Sequence, residues 1–257
     1  MIKVDNYSIF GGTGFIGSNF LKQYPNNELI KRDSLDFKNN KIIYFISTTH
    51  NYNIYENLEL DVKTNILHLC KLFKYIKDSP KDIEINFISS WFVYGKVSKR
   101  ELPVKESHYC DPKGFYSITK HTAEKMLISF AETFGVKYRI LRLCNVMGPG
   151  DKDFGPKKNA LTWMIYQLFN NNQVEVYDKG LAIRDILHIK DVVDAISLVI
   201  KKGEINSIYN IGRGQPTSIY DVINLAAEIL NKDSLIKFVE TPSFHKNIQS
   251  CDMLLDN

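Results

Sequence analysis

The chain has 257 residues, a length that suits one large α/β domain or one domain with a small appendage. Hydrophobic residues make up 44% and charged residues 24%, an ordinary globular composition that argues against a disordered, collagen-like or coiled-coil chain. The net charge of +4 is spread in short clusters without the basic density of a nucleic-acid stripe, and the longest apolar runs, Ile42–Ile46 and Ala195–Ile200, fall far below the roughly 18 residues that cross a bilayer.

In chain order, strand-length apolar runs alternate with segments of helical period, the pattern of βαβ units and a doubly wound parallel sheet. Strands are expected at Tyr7–Phe10, Glu28–Lys31, Ile42–Ile46, Ile85–Ser89 and Lys137–Leu143. Helices are expected at Phe15–Gln23, Asp61–Lys77 and Phe115–Thr133, the second with Val62, Ile66, Leu69, Phe73 and Ile76 on one face. Beyond Gly148-Pro149-Gly150 the pattern loosens into helices at Asn159–Phe169, Lys190–Ile200 and Ser218–Leu230, with short strands near Val174–Val176 and Ile208–Ile211. Residues 1–150 are therefore expected to form a dinucleotide-binding domain, and 151–257 a small α/β lobe that completes a cleft. Met1–Asn6 lacks a signal-peptide layout, which makes a cytoplasmic protein the expectation, with no nucleic-acid or membrane partner. Cys70, Cys110, Cys144 and Cys251 lie too far apart for a zinc site, so no metal is expected.

Gly11-Gly12-Thr13-Gly14-Phe15-Ile16-Gly17 follows the first strand and opens the first helix. Glycines there permit a tight turn and a close backbone approach to a pyrophosphate seated on the helix N-terminus. Gly11, Gly14, Phe15, Ile16 and Gly17 are the expected cradle of NAD or NADP. At the end of the second strand an acid reads the ribose hydroxyl of NAD, whereas an arginine accommodates the phosphate of NADP. Lys31-Arg32-Asp33 carries both signals, and Arg32 tips the expectation toward NADP.

Tyr-x-x-x-Lys occurs at Tyr109/Lys113 and at Tyr116/Lys120. Pro112 bars the first copy from helical geometry, but the second can place Lys120 on the same helix face as Tyr116, where a cation favours the phenolate. Upstream, Ser89-Ser90 ends a strand at the sheet edge where open α/β sheets bind ligands.

The glycine loop, Ser89-Ser90-Trp91-Phe92-Val93-Tyr94-Gly95, Tyr116-Ser117-Ile118-Thr119-Lys120, Arg142–Gly150 and Arg184–Ile189, in this order, resemble the extended short-chain dehydrogenase/reductases, specifically the NAD-dependent epimerase/dehydratase family acting on nucleotide sugars. The resemblance implies a Rossmann fold, catalytic Ser90, Tyr116 and Lys120, and Asn145 and Arg184 near the sugar diphosphate. Trp91 and Phe92 stand where the family's dehydratases carry an acid pair, which argues against water elimination and makes Trp91 a substrate-facing wall. Lys31–Asp36 also resembles GDP-fucose synthases, which carry a cysteine for 3,5-epimerisation where Trp91 stands, so that added chemistry is not expected; Asp33 and Asp36 complete the expected cofactor set. Lys246 stands in for the family's arginine near the diphosphate as a point charge. The chain stops before the last segment of its relatives, either as a natural short form or because a C-terminal part is missing, and the second case would leave the substrate lobe open. A homodimer through the Asp61–Lys77 and Phe115–Thr133 helices is expected. The implied activity is oxidoreduction at C4 of a nucleotide-activated hexose, as a 4-keto sugar reductase or alternatively a 4-epimerase. A non-catalytic dinucleotide-binding regulator is the contrasting reading.

Overall fold

The computed structural model describes residues 4–78, 82–152, 155–249 and 251–256. Its centre is a sheet of six parallel strands: β1 (Ser8–Phe10), β2 (Glu28–Leu29), β3 (Lys41–Tyr44), β4 (Glu84–Ser90), β5 (Lys137–Leu143) and, late in the chain, β10 (Ser207–Ile211). The strand order is β10-β5-β4-β3-β1-β2. The chain thus starts one strand in from an edge and winds outward in both directions, as a doubly wound sheet does.

Both faces of the sheet are covered, so its strands are buried on both sides. On one face, Ile42, Tyr44, Ile85, Phe87 and Ile140 pack against α2 (His68–Ile76) and α3 (Phe115–Phe134). On the other, Ile9, Ile43, Ile88 and Leu141 pack against α1 (Phe15–Gln23) and α5 (Ile189–Lys202). Although α5 and β10 lie beyond residue 151, they belong to this sheet layer.

The second lobe is assembled from α4 (Ala160–Phe169), β7 (Val174–Tyr177), α6 (Ile219–Leu230) and β12 (Ile236–Val239), with β12 parallel to β7. Val174 and Val176 turn into its core with Leu161, Leu168, Ile223 and Ala227. The two-residue period of a strand then turns Glu175 the other way, toward the cleft. Two small pairings join the lobes: β6 (Asn145–Met147) with β9 (Ile186–His188), and β8 (Ile183–Arg184) with β11 (Thr217–Ser218). Ser218 and Asp221 form a capping box that starts α6. The end of the chain is packed in: Met253 and Leu255 are buried beside Trp91 and Tyr94.

One expected helix differs in phase. The segment over 61–76 begins with a π-type stretch, Val62–Leu67, before α2. A π turn inserts extra chain per turn, so the apolar face drifts. Leu69, Phe73 and Ile76 are buried as their spacing requires, but Val62 is 42% exposed while Asp61 and Asn65 are about 1% exposed.

Candidate active site

A cleft of about 1250 Å³ runs along the carboxyl ends of the sheet strands and under the second lobe. At one end it is lined by Gly11, Gly14, Phe15, Ile16 and Gly17. Gly11 has φ +75, and a Cβ there would lie 2.7 Å from the Ile46 nitrogen. A Cβ on Gly17 would lie 2.6 Å from the Gly11 oxygen, so both positions require glycine for the turn to close. Gly14 is the N-cap of α1, with no side-chain cap and no acid in the first turn. A helix N-terminus left in this state, at the floor of a cleft, suits the pyrophosphate of a dinucleotide, and the residues present fit that group.

Arg32 is exposed and lines the same end. Asp33 and Asp36 are exposed and are not part of the cleft lining. Asp33 sits at φ 63, and its Oδ1 lies 3.8 Å from His68 Nε2.

At the centre, Ser90 ends β4 and Tyr116 opens α3, both lining the cleft. Burial pushes the Tyr116 phenol up to about 12, while hydrogen bonds from Ser90 and Ser47 pull it back and the Asp61 charge pushes it further up. Lys120 is buried and its Nζ donates to the Ile88 carbonyl at 2.6 Å, over the Phe87 ring at 4.1 Å. Burial lowers its pKa to about 7 against the opposing pull of Glu124. The lysine expected to favour the phenolate thus donates to a backbone carbonyl.

Trp91 and Phe92 stack at 3.9 Å and form an apolar wall beside Ser90. Arg184 lies 5.6 Å over the Trp91 ring, lines the cleft, and spends one nitrogen on the Ile183 and Cys251 carbonyls. Asn145 also lines the cleft, its Oδ1 buried without a partner among the described residues. Lys246 is exposed and is not part of the lining; the cleft is met by its neighbour His245, which is held by the Tyr52 hydroxyl at 3.0 Å and the Tyr177 ring at 5.0 Å. Successive residues of a helical turn point roughly 100° apart, so only one of the two can face inward.

Sequence reasoning passed over the polar run Ser47-Thr48-Thr49-His50, all of which lines the cleft. Its signal was legible: it follows an apolar strand, at the edge where such sheets bind ligands. The network beneath it is a tertiary product. Asn51 binds the Ser117 N–H and hydroxyl, Asn65 donates to Thr119 at 2.9 Å and to Thr48 at 2.9 Å, and Asp61 accepts from Thr48 and from Asn53. Among the described residues no helix is long and apolar enough to cross a membrane, and no group of three His, Cys, Asp or Glu side chains could hold a metal.

The chain is similar to a trifunctional UDP-glucose 4,6-dehydratase/3,5-epimerase/4-keto-L-rhamnose reductase of Arabidopsis thaliana, with 25% identity over 95% of this chain and 42% of that protein. It is similar to the GDP-6-deoxy-D-mannose reductase of Pseudomonas aeruginosa, with 27% identity over 79% of this chain and 66% of that protein. Its fold matches that of a UDP-glucose 4-epimerase of Thermotoga maritima solved with UDP-glucose, at TM-score 0.85 and 22% identity over 98% and 89% of the two chains. It also matches RMD of Pseudomonas aeruginosa complexed with NADPH, at TM-score 0.84 and 22% identity over 98% and 90%. The model of the NAD-dependent epimerase/dehydratase family matches residues 42–212, from the third strand of the sheet to its last, and the chain belongs to that family.

Proposed function

We propose that the protein is an NAD(P)-dependent oxidoreductase acting at C4 of a nucleotide-activated hexose, working chiefly as a 4-keto sugar reductase. The observation that carries this reading is that Tyr116 and Ser90 line one cleft floored by the glycine loop, with Trp91 and Phe92 in place of an acid pair. In this reading residues 1–150 hold mainly the dinucleotide and 151–257 mainly the substrate. Bound at the glycine loop, the nicotinamide would supply or accept the hydride at C4. Ser90 orients the C4 oxygen, and Tyr116 delivers its phenolic proton to that oxygen as it gains charge. A phenol raised by burial keeps its proton at neutral pH and can donate it to an alkoxide. Asn145, Arg184 and the neighbouring Lys157 and Lys158 bring polar and positive groups to the diphosphate end.

Arg32 at the rim of the cleft favours NADP. The exposed apolar residues Val62, Leu67, Tyr75, Ile118 and Phe134 on the two long helical segments support a homodimer through that face, to be read by light scattering.

The deciding assay supplies purified protein with NADPH and a 4-keto-6-deoxy nucleotide hexose, and separately with UDP-glucose and no reductant. Stoichiometric NADPH consumption in the first mixture supports the reductase. Inversion at C4 in the second without net cofactor change makes the protein an epimerase instead.

A further inference from the structure

The strand β7 sends alternate side chains in opposite directions. Val174 and Val176, 0% and 1% exposed, enter the core of the second lobe, while Gln173, Glu175 and Tyr177 line the cleft. Tyr177 lies at the end of β7 that meets the first lobe: its ring is 5.0 Å from that of His245, which the Tyr52 hydroxyl holds at 3.0 Å. At about 3.3 Å per residue, Glu175 stands roughly 7 Å and Gln173 roughly 13 Å back along the chain from there. From α4, Ala160, Trp163 and Met164, at helical spacings of three and four, line the same cleft.

A carboxylate is out of place in a cleft whose cations, Arg184, Lys157 and Lys158, suit a diphosphate, unless the ligand brings it hydrogen-bond donors. Among the described residues three acids line the cleft: Asp151, Glu175 and Asp178. Asp151 is occupied by Lys158 at 3.6 Å and Asn159 at 3.2 Å, and Asp178 follows β7 on the side of His245. Glu175 is exposed to the cleft, and neither it nor Gln173 has a side-chain hydrogen bond or ion pair with a described residue. Lys237, beside Glu175 across the β7–β12 ladder, is not part of the cleft lining.

We propose that this end of the cleft selects a guanosine diphosphate sugar: Glu175 accepts from N1–H and the 2-amino group of guanine, Gln173 donates to O6, and Trp163 lies against the face of the base. The two side chains are the complement of that edge. Guanine presents one acceptor and then two donors; a carboxylate can take both donors at once, and an amide supplies the remaining donor. Uracil and thymine set one N–H between two carbonyls, and adenine has a ring acceptor where guanine has a donor, so each turns a lone pair toward the carboxylate. Apolar walls with a few polar groups at the edge are the ordinary form of a ligand site, and an aromatic ring stacks on any base, which leaves the discrimination to the edge contacts. The inference rests on the reading of the cleft as a nucleotide-sugar site and adds the identity of the nucleotide.

The test measures binding of GDP, IDP and UDP by calorimetry, with excess NADPH present to occupy the glycine loop. GDP should bind about tenfold or more tightly than UDP. IDP, which lacks the 2-amino group, should bind about tenfold more weakly than GDP, the worth of one hydrogen bond to a charged acceptor. Glu175→Gln sets an amide donor against the donors of guanine and should weaken GDP about tenfold while leaving UDP nearly unchanged. Gln173→Ala should weaken GDP and IDP alike, since both carry O6, and unchanged affinities there would overturn that contact. UDP binding as tightly as GDP, or GDP and IDP binding equally, overturns the proposal while the cleft remains a nucleotide site. A Glu175→Gln variant that weakens all three ligands equally assigns the carboxylate to the ribose they share and overturns it too. If none of the three binds, the reading of the cleft falls and the proposal falls with it.

Discussion

Nη2 of Arg142 donates to Oε2 of Glu124 at 2.7 Å, between side chains that are 3% and 1% exposed. The pair joins β5 to α3 one helical turn beyond Lys120, and the Ser89 hydroxyl adds a bond to the same carboxylate from β4. Three elements that carry the candidate site are thereby locked in one register. Removing one partner strands a buried charge, so Arg142→Met should destabilise the protein by about 3–5 kcal/mol. Adding Glu124→Leu should restore most of that loss. Denaturant unfolding of both variants checks this, and equal stability of the single and double variants would refute it.

Tyr116→Phe removes the proton donor and little else. Turnover should fall by about 10²–10⁴-fold while dinucleotide affinity is kept. Tyr109, in the other Tyr-x-x-x-Lys copy, is 79% exposed, and Tyr109→Phe should be silent. Steady-state kinetics and calorimetry on the two variants decide the assignment.

Lys120 imposes a pH signature on stability. Its pKa in the folded protein lies near 7, below the ordinary 10.5, so between those values the unfolded chain binds a proton that the folded protein lacks. Stability from this group therefore rises as pH goes from about 7 toward 10.5, and at lower pH the full cost of burying the ammonium applies. Lys120→Met should abolish this slope. Thermal unfolding from pH 6.5 to 9.5 should show the wild-type curve climbing relative to the variant; parallel curves would show that the lysine is charged throughout.

Arg32 stands exposed at the rim of the cleft. If it meets the ribose phosphate, Arg32→Ala should weaken NADPH binding by about 1–3 kcal/mol and leave NADH nearly unchanged. Competition between the two dinucleotides, measured by fluorescence titration, reads the difference directly. An unaltered preference would assign cofactor choice elsewhere.

The parts of the site legible in the sequence are those fixed by local geometry. The glycine loop is a turn between adjacent elements, Ser90 is the last residue of a strand, and Tyr116 and Lys120 share a helix face at a spacing of four. The apolar alternation also delimited the strands closely: Lys137–Leu143 has the bounds expected of it, and the helix expected over Phe15–Gln23 is α1. What the tertiary structure alone decided depends on partners far apart in sequence. The π-type stretch that rotates Asp61 and Asn65 inward is held by Thr48, Asn53 and Thr119, and the bond between Asn51 and Ser117 spans 66 positions. His245 rather than Lys246 meets the cleft because Tyr52, almost two hundred positions upstream, captures its ring. The ammonium of Lys120 settles on the Ile88 carbonyl because burial penalises its charge and that oxygen is within reach. Periodicity states which residues can share a face, but the aim of a polar side chain is chosen by whichever buried donor or acceptor it must satisfy, and that partner exists only once the chain has folded.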